Sequence, residues 1–157
     1  EIEVRVVYNE IQSKVSNDVI HPINIRQSTT VKYLRDTTYL NSKSWYLLNE
    51  DNEFQFKVKG PALLKVRTRS EYTDSSKIYS FNLKENGMKM SVHKYNIQLS
   101  EKNAHFMNDV QREIKLTKYN SFFYNVPPGL NYYSLQSNNN LLHNMYVKVE
   151  SYIDDNK

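Results

Sequence analysis

The chain has 157 residues, 39% hydrophobic and 24% charged, a balance that fits a single folded domain spanning 1–157 and excludes a disordered chain. Its formal charge of +4 is mildly basic and falls well short of an arginine-rich nucleic-acid arm, so nucleic acid is not an expected partner. The absence of cysteine excludes disulfides, thiolate metal sites and thiol nucleophiles.

Alternation of apolar and polar residues dominates from the start. Ile2, Val4, Val6 and Tyr8 alternate with Glu3 and Arg5, the pattern of a half-buried strand. Residues 9–19 break it and read as a connection. Val31, Tyr33 and Leu34 lie in VKYLRD, and WYLLN at 45–49 is a short aromatic run before the acidic turn Glu50-Asp51-Asn52-Glu53. Phe54, Phe56 and Val58 then form one face, and Leu64, Val66 and Thr68 continue an inward face after Gly60-Pro61. Proline has no N–H and glycine tolerates a turn, so the pair predicts a tight connection or sharp bend.

Tyr79, Phe81 and Leu83 alternate up to Asn86-Gly87, and Met88, Met90 and Val92 follow. Asn-Gly between two alternating stretches predicts a tight hairpin, because both residues accept positive φ. The same periodicity places His93 on the outer face. Residues 101–109 read as a loop or single turn and the stretch to 118 as a strand. Phe122, Tyr124 and Val126 run into Pro127-Pro128-Gly129, which predicts a strand end. Leu130 to Leu135, and then Met145, Val147 and Val149, complete the series.

The predicted fold is all-β, a single antiparallel β-sandwich of about nine to ten short strands with jelly-roll-like or immunoglobulin-like connections. The expected core is Val6, Phe56, Val58, Leu64, Val66, Tyr79, Phe81, Leu83, Val92, Leu116, Phe122, Val147 and Val149. No apolar run approaches the roughly 20 residues of a membrane-spanning helix.

No catalytic motif stands out. The four histidines (His21, His93, His105 and His143) lack the spacing of a metal cluster, and three glycines do not build a phosphate-cradling loop. Glu50, Asp51 and Glu53 have the oxygen chemistry for calcium, but a solvated acidic turn is the simpler reading. The expectation is therefore a non-enzyme without metal or cofactor.

Two features point to binding. With 13 Tyr, 6 Phe and 1 Trp the chain is rich in aromatic residues, which serve either as core or as stacking surfaces for sugars. The polar side of 54–69 carries Lys57, Lys59, Lys65, Arg67 and Arg69. If the two halves pair across Gly60-Pro61, these form one basic face, either solvated and guarding an edge or used on an anionic partner.

The candidate ligand-binding residues are Lys65, Arg67, Arg69, Tyr33, Arg35 and Trp45. They suggest a non-catalytic binding or accessory module for a glycan or anionic polymer. The alternative is a structural domain that docks on a partner protein through a sheet face or edge. No Asn is followed two positions on by Ser or Thr, and the chain starts at Glu1 rather than Met. The first fits a bacterial protein of the periplasm or exterior, and the second a processed or trimmed chain.

Overall fold

The computed structural model describes residues 20–22, 28–49, 51, 53–75, 77–107, 110–138 and 144–152. The expected strand over residues 2–8, with Val6, lies outside them, as do Glu50 and Asn52 of the acidic turn. Ten antiparallel strands and no helix make up the described residues, so the chain is an all-β sandwich as the alternation predicts. Among the described residues no helix is long and apolar enough to cross a membrane.

The strands are β1 (Ile20–Pro22), β2 (Ser28–Arg35), β3 (Thr38–Leu48), β4 (Phe54–Ser70), β5 (Ile78–Glu85), β6 (Met88–Asn96), β7 (His105–Met107), β8 (Glu113–Lys115), β9 (Asn120–Ser137) and β10 (Met145–Tyr152). Their hydrogen-bonded order is β6-β5-β9-β4-β10-β3-β2-β7-β8, with β1 also on β4. β4 and β9 are long and pair with each other over nearly their whole length, from Phe54↔Leu135 to Thr68↔Asn120. The first half of β4 runs between β1 and the second half of β9, with β5 and β6 beyond. The second half runs between the first half of β9 and β10, with β3 and β2 beyond.

Both long strands turn the same corner. Pairing passes from Gly60↔Gly129 to Ala62↔Val126, which leaves Pro61 facing the Pro127-Pro128 pair with no ladder partner on either side. Prolines placed at a bulge remove no hydrogen bond that the ladder needs, so the strands bend and continue. Gly60-Pro61 is thus a bend, with a cis peptide, inside one strand. The two halves of 54–70 do not pair with each other, and Pro127-Pro128-Gly129 does not end its strand.

The main core lies where the layers face each other. Phe54, Phe56, Val58, Leu64 and Val66 of β4 meet Tyr79, Phe81 and Leu83 of β5, with Tyr133, Leu135 and Val147 around them. Phe122 and Val149 pack against its margin. A second cluster (Val31, Trp45, Ala104, Phe106, Leu116 and Tyr146) joins β2, β3 and β10 to the 104–116 segment. β7, within the stretch read from sequence as loop or turn, adds Phe106 to this cluster, and β8 adds the partly buried Ile114.

One predicted register is inverted. The Asn-Gly turn is present, with φ of 49° at Asn86 and 83° at Gly87. A bulge follows it, and pairing steps from Lys84↔Lys89 to Leu83↔Ser91, with Met90 as the extra residue. Because side chains alternate with period two, one inserted residue reverses every face beyond it. Val92 is therefore 44% exposed and outside the core. His93 points inward and stacks on Phe122 with ring centroids 3.8 Å apart.

Candidate functional site

Strand alternation places Lys65, Arg67 and Arg69 together on the face of β4 opposite Leu64, Val66 and Thr68. On the flanking β10 the registers Glu150↔Lys65 and Lys148↔Arg67 bring a further cation and a carboxylate into the row. Arg67 Nη2 lies 3.3 Å from Glu150 Oε2, and Lys148 Nζ lies 3.9 Å from Glu150 Oε1. Lys148 Nζ also donates to Ser42 Oγ at 3.2 Å. Arg67 and Lys148 thus share one carboxylate, with Lys65 opposite it in register, which relieves part of the cross-strand repulsion and leaves the face positive.

Aromatic rings frame the row. Lys65 Nζ is 5.5 Å from the Phe123 centroid, and the Arg67 guanidinium is 5.5 Å from that of Tyr119. The Arg69 guanidinium lies 5.3 Å from both Trp45 and Tyr119. These are cation–π distances, at which a ring face attracts the cation and replaces part of its lost hydration.

Depth separates the members of the row. Arg69 is only 6% exposed, and its Nη1 donates to the carbonyl of Thr117 at 3.1 Å. Burial pushes its guanidinium down to about 10, opposed by nearby Tyr119 and Tyr79, so it stays charged at neutral pH. Burial also lowers Lys65, with Arg67 adding to the effect and Glu150 opposing it. Lys148 is lowered by burial as well, against the pull of Glu150. The Nε atoms of Arg67 and Arg69 are buried without a hydrogen-bond partner.

The six residues singled out from sequence divide accordingly. Lys65, Arg67, Arg69 and Trp45 come together. Trp45 is 2% exposed, donates its indole N–H to Ser42 Oγ at 3.1 Å and serves as the floor under Arg69. Tyr33 packs against the same second cluster, near enough to favour the charge on Arg69. Arg35 stands apart at the tip of the β2–β3 hairpin, paired with Thr38 and 3.9 Å from Asp36 Oδ2. Trp45 lies seven positions along β3 from Thr38, roughly 23 Å at the usual strand rise. Lys57 and Lys59 lie before the corner, away from the row.

The sequence reading missed Lys148, Glu150 and Tyr119. Alternation in MYVKVES puts Lys148 and Glu150 opposite Val147 and Val149, but only the β4–β10 register sets them beside Arg67. Tyr119 precedes its strand, and no periodicity marks it.

No protein-family model matches the chain, and no curated protein matches it.

Proposed function

We propose that the domain is a non-catalytic binding or accessory module whose β4–β10 face holds an anionic polymer, an acidic glycan foremost. One observation carries this reading: Lys65, Arg67 and Lys148 stand side by side on adjacent strands around Glu150, whose carboxylate pairs with Arg67 and Lys148. Successive outward residues of a strand are about 6–7 Å apart, a spacing a linear polyanion can follow. Partial burial supports the reading too, since a cation already stripped of some water loses less on meeting a carboxylate or sulfate. Lack of cysteine and of acceptor sequons suits a periplasmic or secreted bacterial setting, where such polymers are met.

The test is affinity of the domain for polygalacturonate and for a neutral galactan, measured across a salt series. The expected result is selective binding of the acidic polymer that weakens as salt shortens the screening length. Lys65→Gln with Lys148→Gln should lower it about tenfold while the melting temperature holds. A parent protein that ignores the acidic polymer at millimolar concentration, or a double variant that binds equally well, overturns the proposal.

A second reading has its own observation. β6 ends the hydrogen-bonded path and exposes Met90 and Val92. An apolar edge strand suits docking on a partner protein by strand addition. Substituting Met90 and Val92 by Lys would abolish such docking and leave polymer binding intact.

A further inference from the structure

The tripeptide Lys-Tyr-Asn occurs twice, as Lys94-Tyr95-Asn96 at the end of β6 and as Lys118-Tyr119-Asn120 at the start of β9. The fold brings both copies to one groove of about 310 Å³. That volume is at the lower end of the roughly 300–1,000 Å³ usual for small-molecule sites. The two segments are tied together by backbone: Lys118 N–H donates to the Gln98 carbonyl at 2.9 Å, and Leu99 bridges Thr117.

Each side chain is either held or free in a way that suits a ligand. Asn120 Nδ2 donates to Tyr79 Oη at 2.8 Å, which anchors that amide at the groove wall. Tyr95 packs against Tyr79 at 5.5 Å between centroids. Tyr119 is 48% exposed, yet the guanidiniums of Arg67 and Arg69 hold its ring in place. Lys118 is paired with Glu101 at 2.9 Å, and Lys94 is exposed.

Phenol faces suit the C–H face of a pyranose, and primary amides both donate to and accept from hydroxyls. Ammonium groups suit a carboxylate. All three occur here, with Tyr119 and Lys94 exposed, whereas Tyr95 packs against the core margin and Lys118 is held by Glu101. Tyr119 belongs to both places, as it lines the groove and also covers the arginines of the basic row.

We propose that this groove is a subsite for one carboxylated pyranose, a uronate unit of an acidic glycan whose chain continues along Arg67, Lys65 and Lys148. The inference rests on the anionic-polymer reading above and adds to it a sugar-selective pocket that the row alone does not provide.

The experiment titrates trigalacturonate, the neutral galactose trimer and a short single-stranded oligonucleotide into the parent and its variants. Calorimetry gives affinity, and side-chain amide signals of Asn96 and Asn120 give location. The expected result is binding of trigalacturonate, with both amide signals shifting and the other two probes weaker. Tyr119→Ala should lower its affinity about tenfold, and Tyr119→Phe should retain it, since stacking needs the ring and not the hydroxyl. Lys94→Gln, which leaves Tyr119 and its arginines untouched, should lower it about threefold.

If Lys94→Gln and Tyr119→Ala both bind like the parent, or the amide signals stay still, the subsite is refuted and the basic row stands by itself. If Lys65→Gln with Lys148→Gln keeps polygalacturonate binding while the groove variants lose the trimer, the basic-row reading fails and the groove is the whole site. A parent that binds neither acidic probe ends both. Preference for the oligonucleotide overturns the assignment to a sugar.

Discussion

The carbonyl oxygen of Pro127 lies 1.8 Å from the point where a Cβ on residue 60 would sit. No side chain fits there, and the obstacle is backbone rather than a movable side-chain end. Gly60 is therefore required by the approach of two strands at the corner where β4 and β9 bend together.

Gly60→Ala should accordingly destabilise the domain by about 2–4 kcal/mol, at or above the usual cost of overpacking, because the corner itself has to open. Gly87 and Gly129 make the control. Both have open space where a methyl group would sit but a positive φ, so alanine there should cost only about 1 kcal/mol. Urea unfolding of the three variants checks the order. Equal losses at all three positions would show that the corner tolerates a methyl group.

The β6 register gives a second prediction. His93 stacks on Phe122 at 3.8 Å and lies 5.1 Å from Phe81, and burial holds its imidazole below the ordinary value. A depressed folded-state pKa means that the unfolded chain binds the proton first. Stability is then complete above about pH 6.5 and declines as the pH falls from there through the folded-state value. The melting temperature should drop between pH 7.5 and 5.5, and His93→Phe should reduce that drop while keeping the stack. Val92→Lys, on the exposed side, should change stability by less than about 0.5 kcal/mol. A large loss from Val92→Lys would restore the register expected from hydrophobicity.

Alternation was enough to read the strands of the core, since Phe56, Val58, Leu64, Val66, Tyr79, Phe81 and Leu83 are each excluded from water. Phe81→Ala should cost about 3–5 kcal/mol on that ground. What pattern does not carry is the insertion of one residue. Met90 looks like every other apolar residue at an alternate position, yet as the extra residue of a bulge it reverses the strand. The prolines misled for a related reason, because whether a proline ends a strand depends on what faces it, and Pro61 faces Pro127 and Pro128. At the site, the β4 half of the basic row was legible because a strand's own residues share a face by period two. Lys148, Glu150 and Tyr119 reach it through long-range register, which one sequence does not display.

Arg69 and Arg67 should part company on mutation. Arg69 is enclosed by Trp45, Tyr119 and the Thr117 carbonyl, so Arg69→Ala removes packing as well as charge and should cost about 2–4 kcal/mol. Arg67, more open and paired with Glu150, should cost about 1 kcal/mol. Trp45 is the single tryptophan, so its fluorescence reports the first change directly. Arg69→Ala should shift emission to the red as water reaches the indole, and Arg67→Ala should leave it in place. The opposite order would mean that the row is a structural unit centred on Arg67 and would weaken its use for a ligand.

The β2–β3 hairpin offers a stabilising change. Its turn residues Asp36 and Thr37 have φ of 49° and 68°, and both are exposed. The left-handed region costs an L-residue roughly 1–2 kcal/mol, and a β-branched side chain such as threonine is among the least suited to it. Glycine at 37 removes that cost but adds freedom to the unfolded chain, which returns about 0.5–1 kcal/mol. The balance favours the fold, so Thr37→Gly should raise stability by about 0.5–1 kcal/mol, whereas Thr37→Val should not. The turn lies far from the basic row, so binding should be unaffected by either change. Chemical unfolding decides the matter: a loss of stability with glycine would show that Thr37 contributes more through its side chain than its backbone conformation costs.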